Sequence, residues 1–250
     1  MKYLVLIGLL LAISGSIEVQ AQILDSRVYP LERGTAKKTQ LFSGSGAILS
    51  NQTATYYTLS GGKQTAIISG KQEEVLVIIK NGKANVQLLE EQKVLEQGSV
   101  VFLLPGERVL ISNSTKEAVT YYTLTASSTT NFSEDRGRQG GSSFIMDWKD
   151  MVFKPHSKGG VRQLFNRPTA MLNKFDIHIT TLDVGMKSHD PHTHTNEEII
   201  LLLSGNAEMQ IDQSHQKASG GDAVWLGSMV LHNLTNIGNI PCLYYAIQWN

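Results

Sequence analysis

Apolar residues along this chain come in short unbroken runs. "EVLVIIK" at 74–80, "SVVFLL" at 99–104, "EEIILLL" at 197–203 and "DAVWLG" at 222–227 are rich in branched side chains, and glycine or asparagine separates successive runs. Beyond the first 21 residues no segment keeps a 3.6-residue apolar period for long, so the pattern predicts an all-β fold. Because the runs lack polar alternation, their strands should be covered on both faces, as in a sandwich or a small closed barrel. The polar stretch "SSTTNFSEDRGRQGGSS" at 127–143 predicts a mobile linker or surface loop.

Shifting the sequence by 123 residues superposes the chain on itself. "TQLFSGSGAIL" at 39–49 falls on "RQLFNRPTAML" at 162–172, "NGKANVQL" at 81–88 on "SGNAEMQI" at 204–211, and "YYTL" at 121–124 on "YYAI" at 244–247. Residues 40–124 set against 163–247 give 18 identities in 85 ungapped pairs, where ordinary composition gives about 5. A duplicated domain is the simplest account, with one copy at 22–126, a linker at 127–147 and a second copy at 148–250. The apolar strand faces can serve a contact between the copies or a homodimer contact equally well.

The opening "MKYLVLIGLLLAISGSIEVQA" has a basic Lys2, an apolar run from Tyr3 to Ile13, and Val19 and Ala21 ahead of Gln22, which is the pattern of a cleaved secretory signal at 1–21. Its apolar core is too short to span a bilayer comfortably, and no later stretch approaches about 20 apolar residues. The mature chain is therefore expected to be periplasmic or secreted, with no membrane attachment after cleavage. With 22 basic and 22 acidic residues, there is no net charge to collect nucleic acid, so that class of partner is disfavoured. Cys242 is the only cysteine and cannot form an intrachain disulfide. In the run "CLYYAI" it reads as a small core residue.

The two copies differ where chemistry concentrates. The second contains "GMKSHDPHTHTNEEIILLLSG" at 185–205 and "GDAVWLGSMVLHNLTN" at 221–236. On a strand, His192, His194 and Glu198 share parity and point into one cavity, which His232 on a later strand can approach. Three imidazoles and a carboxylate suit one divalent transition metal: manganese, iron, nickel, cobalt or zinc. The first copy places Ser69, Lys71, Val75 and Val109 at these positions, and no ion could be held there. Glu197 aligns with Glu74 and has the opposite parity, so it reads as structural.

The same subtraction nominates Arg162, Arg167, His178 and His189 as candidate catalytic or substrate-binding residues, where the first copy has Thr39, Gly44, Thr55 and Ala66. An arginine can clamp a carboxylate with paired hydrogen bonds, which suits a small anionic substrate. For each arginine, a solvated surface charge or an interbarrel salt bridge is the competing reading. His178 faces either the cavity or solvent.

These residues resemble the two motifs of the cupin superfamily, in which HxHx3E followed by x6G is completed by a later Hx3N. Here they are His192, His194, Glu198 and Gly205, then Gly221, His232 and Asn236. Six residues rather than the usual five separate Gly185 from His192, and Gly227 and Met229 stand where the second motif usually has proline and glycine; the first copy keeps Pro105 and Gly106. The resemblance implies a bicupin of two tandem jelly-roll barrels, the first degenerate and the second metal-bearing. Among bicupins the chain resembles the group that includes ureidoglycine aminohydrolases, although those typically have glutamate and glutamine where this chain has His192 and His232. Its three-histidine, one-glutamate set is similar to that of oxalate oxidases and decarboxylases and of quercetin dioxygenases. The single-domain cupins that rearrange unsaturated uronates are a further resemblance. These resemblances, taken with the secretory pattern, imply an exported metal enzyme acting by Lewis-acid chemistry on a small oxygen-rich carboxylate, sugar acid or ureido acid. A metal-dependent dioxygenase and a noncatalytic metal-assisted sugar-binding protein are the alternatives.

Overall fold

The computed structural model describes residues 22–32 and 34–250, so the secretory segment read at 1–21 lies outside the described residues. After β1 (Arg27–Tyr29), the first repeat runs through β2 (Lys38–Gly44), β3 (Asn51–Leu59), β4 (Gln64–Ile68), β5 (Glu74–Asn81), β6 (Ala84–Leu88), β7 (Glu91–Leu95), β8 (Val100–Leu103), β9 (Arg108–Ser112) and β10 (Val119–Ser127). A helix, α1 (Glu134–Gly140), and strands β11 (Phe144–Met146) and β12 (Lys154–His156) lead into the second repeat. That repeat comprises β13 (Gly159–Arg167), β14 (Phe175–Leu182), β15 (Glu197–Ser204), β16 (Asn206–Ile211), β17 (Ser214–Ser219), β18 (Ala223–Leu226), β19 (His232–Asn236) and β20 (Cys242–Trp249).

Each repeat is a jelly-roll sandwich of a large and a small sheet. The first sets β11-β8-β5-β10-β3-β2 against β4-β9-β6-β7, and the second sets β1-β18-β15-β20-β14-β13-β12 against β17-β16-β19. The unbroken apolar runs follow from this layering, because each large sheet lies between two apolar layers. On β5, Val75, Val77 and Ile79 enter the sandwich core with Val86, Leu88 and Ile111. Leu76 and Ile78, of opposite parity, enter a core shared by both repeats with Ile199, Leu201, Tyr245 and Ile247. Burying each such Leu or Ile contributes roughly 1.5–3 kcal/mol. The apolar faces thus serve the contact between the repeats.

That contact is reciprocal, and the repeated phrase carries part of it. Glu74 is buried and accepts from Ala170 N at 2.6 Å and from Thr169 Oγ1 at 2.7 Å. Its equivalent Glu197 is equally buried and accepts from Ala47 N at 2.6 Å and from Trp249 Nε1 at 2.9 Å. Ala47 and Ala170 are the alanines of "SGSGAIL" and "NRPTAML", so each phrase donates its main chain to the other repeat's carboxylate. Tyr122 Oη likewise donates to Gly221 O at 2.8 Å, and Tyr245 Oη to Gly98 O at 2.5 Å. Burial pushes the Glu74 carboxyl above its ordinary range, although the bonds from Thr169 and Ala170 oppose the shift.

The sheets cross the boundaries drawn from sequence. β1 pairs with β18 of the second repeat, and β11, inside the expected linker, pairs with β8 of the first. The segment 127–147 is therefore built into the fold rather than loose. Ser133 caps α1, and Arg136 donates to Thr169 O at 2.7 Å, to Ala170 O at 2.9 Å and to Asn173 Oδ1 at 3.0 Å. The helix can lie this close because Gly137 has no side chain: a Cβ there would stand 2.7 Å from that of Ala170. Cys242 is buried, as its apolar run predicts.

Candidate metal centre

The site forms where the second repeat departs from the first. In the first, β4 pairs regularly with β9, with Gln64 opposite Ser112 and Ile67 opposite Val109. The equivalent span at 187–191 keeps only two isolated bridges, Lys187 to Thr235 and His192 to His232. The repeat register would set Asp190 opposite His232, so two extra residues are looped out. Pro191, which has no amide hydrogen, stands in this break. The shared strand parity expected for His192, His194 and Glu198 is thus corrected: only Glu198 lies on a strand, β15, and the two histidines precede it in the bulged loop. They converge because His192 and His232 exchange main-chain hydrogen bonds of 3.2 and 3.0 Å.

Glu198 is buried and faces inward. Its Oε2 lies 3.2 Å from His194 Nε2 and 3.3 Å from His232 Nε2. Both rings are oriented from behind, His194 Nδ1 donating to Asn196 O and His232 Nδ1 to Val230 O, each at 2.9 Å. A carbonyl can only accept, so Nδ1 carries the hydrogen, and in the neutral tautomer both Nε2 lone pairs face the carboxylate. Three lone-pair donors converging at this range require a cation between them, either a proton or a metal ion. His194 and Glu198 show the proton alternative. Their mutual hydrogen bond raises the His194 pKa; burial alone would raise Glu198, but the bonds and charges of His194 and His232 outweigh it and hold the carboxyl down at about 2. His192 and His189 are pushed below the usual histidine range, chiefly by burial.

The ligand atoms fall into two overlapping triplets, His194–Glu198–His232 and His189–His192–His232, each with all members within 4.8 Å of one another. Together they contain the four ligands expected from the sequence, with His189 added. His189, His192, Glu198 and His232 line a cavity of about 320 Å³, together with His156, His178 and Gln248. His178 is turned into this cavity and away from the apolar face formed by Phe175, Ile177 and Ile179. In the first repeat the corresponding interior is filled: Tyr57, where the second repeat has Thr180, stacks on Tyr121 with ring centroids 5.2 Å apart, and Val75 and Val109 are buried.

Residues 178–248 match the family described as Cupin domain. No curated protein matches the chain. Among solved structures, a putative glyoxylate-induced protein from Pseudomonas aeruginosa is 13% identical with a TM-score of 0.68, over 94% of this chain and 93% of its own. AerE from Microcystis aeruginosa is 13% identical with a TM-score of 0.65, over 90% and 98% respectively. An oxalate decarboxylase from Lactobacillus farciminis is 11% identical with a TM-score of 0.61, over 89% and 88%.

The fold is a cupin fold.

Other cupin motif residues act on the backbone. Asn236 donates to Leu182 O and Ile240 O, both at 2.9 Å, and Asn113 bonds Leu59 O and Glu117 O in the same way, so this asparagine staples a turn in both repeats. Met229 has φ +63° where the first repeat has Gly106 at φ +78°. A non-glycine residue in this region costs on the order of 1 kcal/mol. The strained turn is tied to the site, because Met229 N donates to His194 O at 2.8 Å.

The arginines are not in the cavity, which corrects the expectation of a substrate clamp there. On β13 Val161 faces the cavity, and Arg162 points the opposite way. Its guanidinium packs 4.0 Å from the Trp148 ring centroid and 4.5 Å from that of Phe153. Arg167 lies over Phe102, Phe144 and Phe165, and its Nη2 donates to Ser142 O at 3.0 Å. Both replace residues of the first repeat in order to pack the junction. Arg162→Lys loses planar stacking worth about 1 kcal/mol; melting should fall by roughly 2–4 °C with metal content unchanged. Lost metal at unchanged melting would return Arg162 to the site.

Proposed function

We propose that this chain is an exported, metal-dependent enzyme with one ion site, formed by His192, His194, Glu198 and His232 in its second repeat. The carrying observation is the apposition of the His194 and His232 lone pairs with Glu198, held by main-chain acceptors behind each ring. A divalent ion bound there supplies Lewis acidity toward a carboxylate or carbonyl oxygen. The chain itself provides the cavity, with apolar lining from Ile200, Leu234 and Ala246 and polar lining from His156, His178 and Gln248. With the arginines directed elsewhere, His178 and His156 are the cavity's candidates for orienting an anionic group. Lys158 adds positive charge nearby, its Nζ donating to Ser188 O at 3.1 Å. The substrate class is a small oxygen-rich carboxylate, sugar acid or ureido acid. Likeness in fold to an oxalate decarboxylase is compatible with it.

Turnover tests this reading. Purified protein with its metal quantified is assayed against small carboxylates, unsaturated uronates and ureido acids in a sealed cell with an oxygen electrode. Metal-dependent turnover without oxygen uptake is expected. Stoichiometric oxygen consumption would assign a dioxygenase, and saturable sugar binding without turnover would assign a binding protein.

A further inference from the structure

We propose that His189 is a fifth protein donor to the ion, leaving a six-coordinate ion one open position. The inference rests on the metal reading above and sharpens it. His189 is absent from the cupin motif pattern and has Ala66 as its counterpart in the first repeat. It nevertheless lies with His192 and His232 in one triplet of ligand atoms within 4.8 Å, and His232 also belongs to the triplet with His194 and Glu198. Donors roughly 2.1 Å from a common ion stand about 3.0 Å apart when adjacent and about 4.2 Å apart when opposite, so each triplet is near ligand spacing, and one ion holding all five draws the two triplets together about their shared His232.

The ring is also oriented as a donor would be. His189 Nδ1 donates to Asp190 O at 3.0 Å, which leaves its Nε2 lone pair free. Its own main-chain oxygen accepts from Asn233 Nδ2 at 3.3 Å, while the neighbouring Ser188 N donates to Leu234 O at 2.8 Å. The loop is therefore tied on both sides of the ring. The two-residue bulge gives the local cause: looping out residues between Lys187 and His192 stacks His189 edge-on to His192, with centroids 4.0 Å apart. A bulge that re-aims a side chain toward a site is a common use of such irregularities.

The chemical consequence is selectivity. One open position admits a single substrate oxygen, from a lone carboxylate or carbonyl, and disfavours a diacid that must chelate through two oxygens.

The test counts imidazoles. Wild-type protein loaded with one equivalent of Cu(II) is measured by pulsed electron paramagnetic resonance, and affinity is measured by competition with a chelating dye. Four coordinated imidazoles are expected in wild type and three in His189→Phe, which keeps an aromatic ring against His192. Affinity should fall at least about tenfold, or about 1.4 kcal/mol. Three imidazoles in wild type, with an unchanged count and affinity in His189→Phe, would overturn the fifth donor and leave the metal reading standing. Wild type that binds no metal would overturn both.

Discussion

Replacing His232 by valine should reduce bound metal from near one ion per chain to below about a tenth, because this imidazole is common to both ligand triplets and is buried against Glu198. Valine is what the first repeat carries at the equivalent position, Val109, in an interior with no ligand set. The wall around His232 includes Leu234 and Ile200, so valine has apolar neighbours there and melting of the metal-free protein should change little. Melting in excess metal should diverge strongly: a ligand at about 1,000 times its dissociation constant stabilises by about 4 kcal/mol, and that increment should vanish in the variant. Acid should have a parallel effect on wild type. Metal needs neutral imidazoles, and the Glu198 hydrogen bond raises the His194 pKa, so protons compete progressively as pH falls from 8 through the histidine range near 6.5. Equal metal content in wild type and His232→Val, or a ratio near two, would defeat the assignment. So would retention at pH 5 as firm as at pH 8.

Much of this organisation was legible because the chain contains its own control. Buried runs such as "EVLVIIK" and "EEIILLL" recur since both large sheets must be apolar on two faces, and the constant 123-residue spacing fixes the repeat. Subtracting the copies also isolates the histidines. It does not say why a residue differs: Arg162 and Arg167 stand out as sharply as His189, yet they pack Trp148 and a phenylalanine cluster at the junction. Strand parity failed at His192 and His194 because the break at Pro191, which loops out two residues, is a long-range pairing event between 187–192 and β19, with no local signature beyond one proline and a Gly185-to-His192 spacing one residue longer than the motif's. The segment at 127–147 misled for a related reason. Its composition is that of a loop, but Arg136 finds carbonyl acceptors at 169 and 170 that are distant in sequence.

Two adjacent glutamates should separate stability from metal binding. Glu197 and Glu198 differ by one residue on β15, and strand alternation sends them to opposite faces. Glu197→Ala removes the acceptor from Ala47 N and Trp249 Nε1, two donors at the junction of the repeats. Each stranded donor costs about 1–3 kcal/mol, so the loss should be about 2–6 kcal/mol, lowering the melting temperature by roughly 4–24 °C at about 2–4 °C per kcal/mol for a chain of this size. Metal binding at about 20 °C, well below that transition, should be unaffected. Glu197→Gln keeps one acceptor oxygen and should recover part of the loss. Glu198→Ala should do the reverse, abolishing metal binding while melting of the metal-free protein moves far less, because His194 and His232 keep their main-chain acceptors at Asn196 and Val230. If Glu197→Ala melted within about 2 °C of wild type, or released metal as readily as Glu198→Ala, the reciprocal clasp would not be what joins the two repeats.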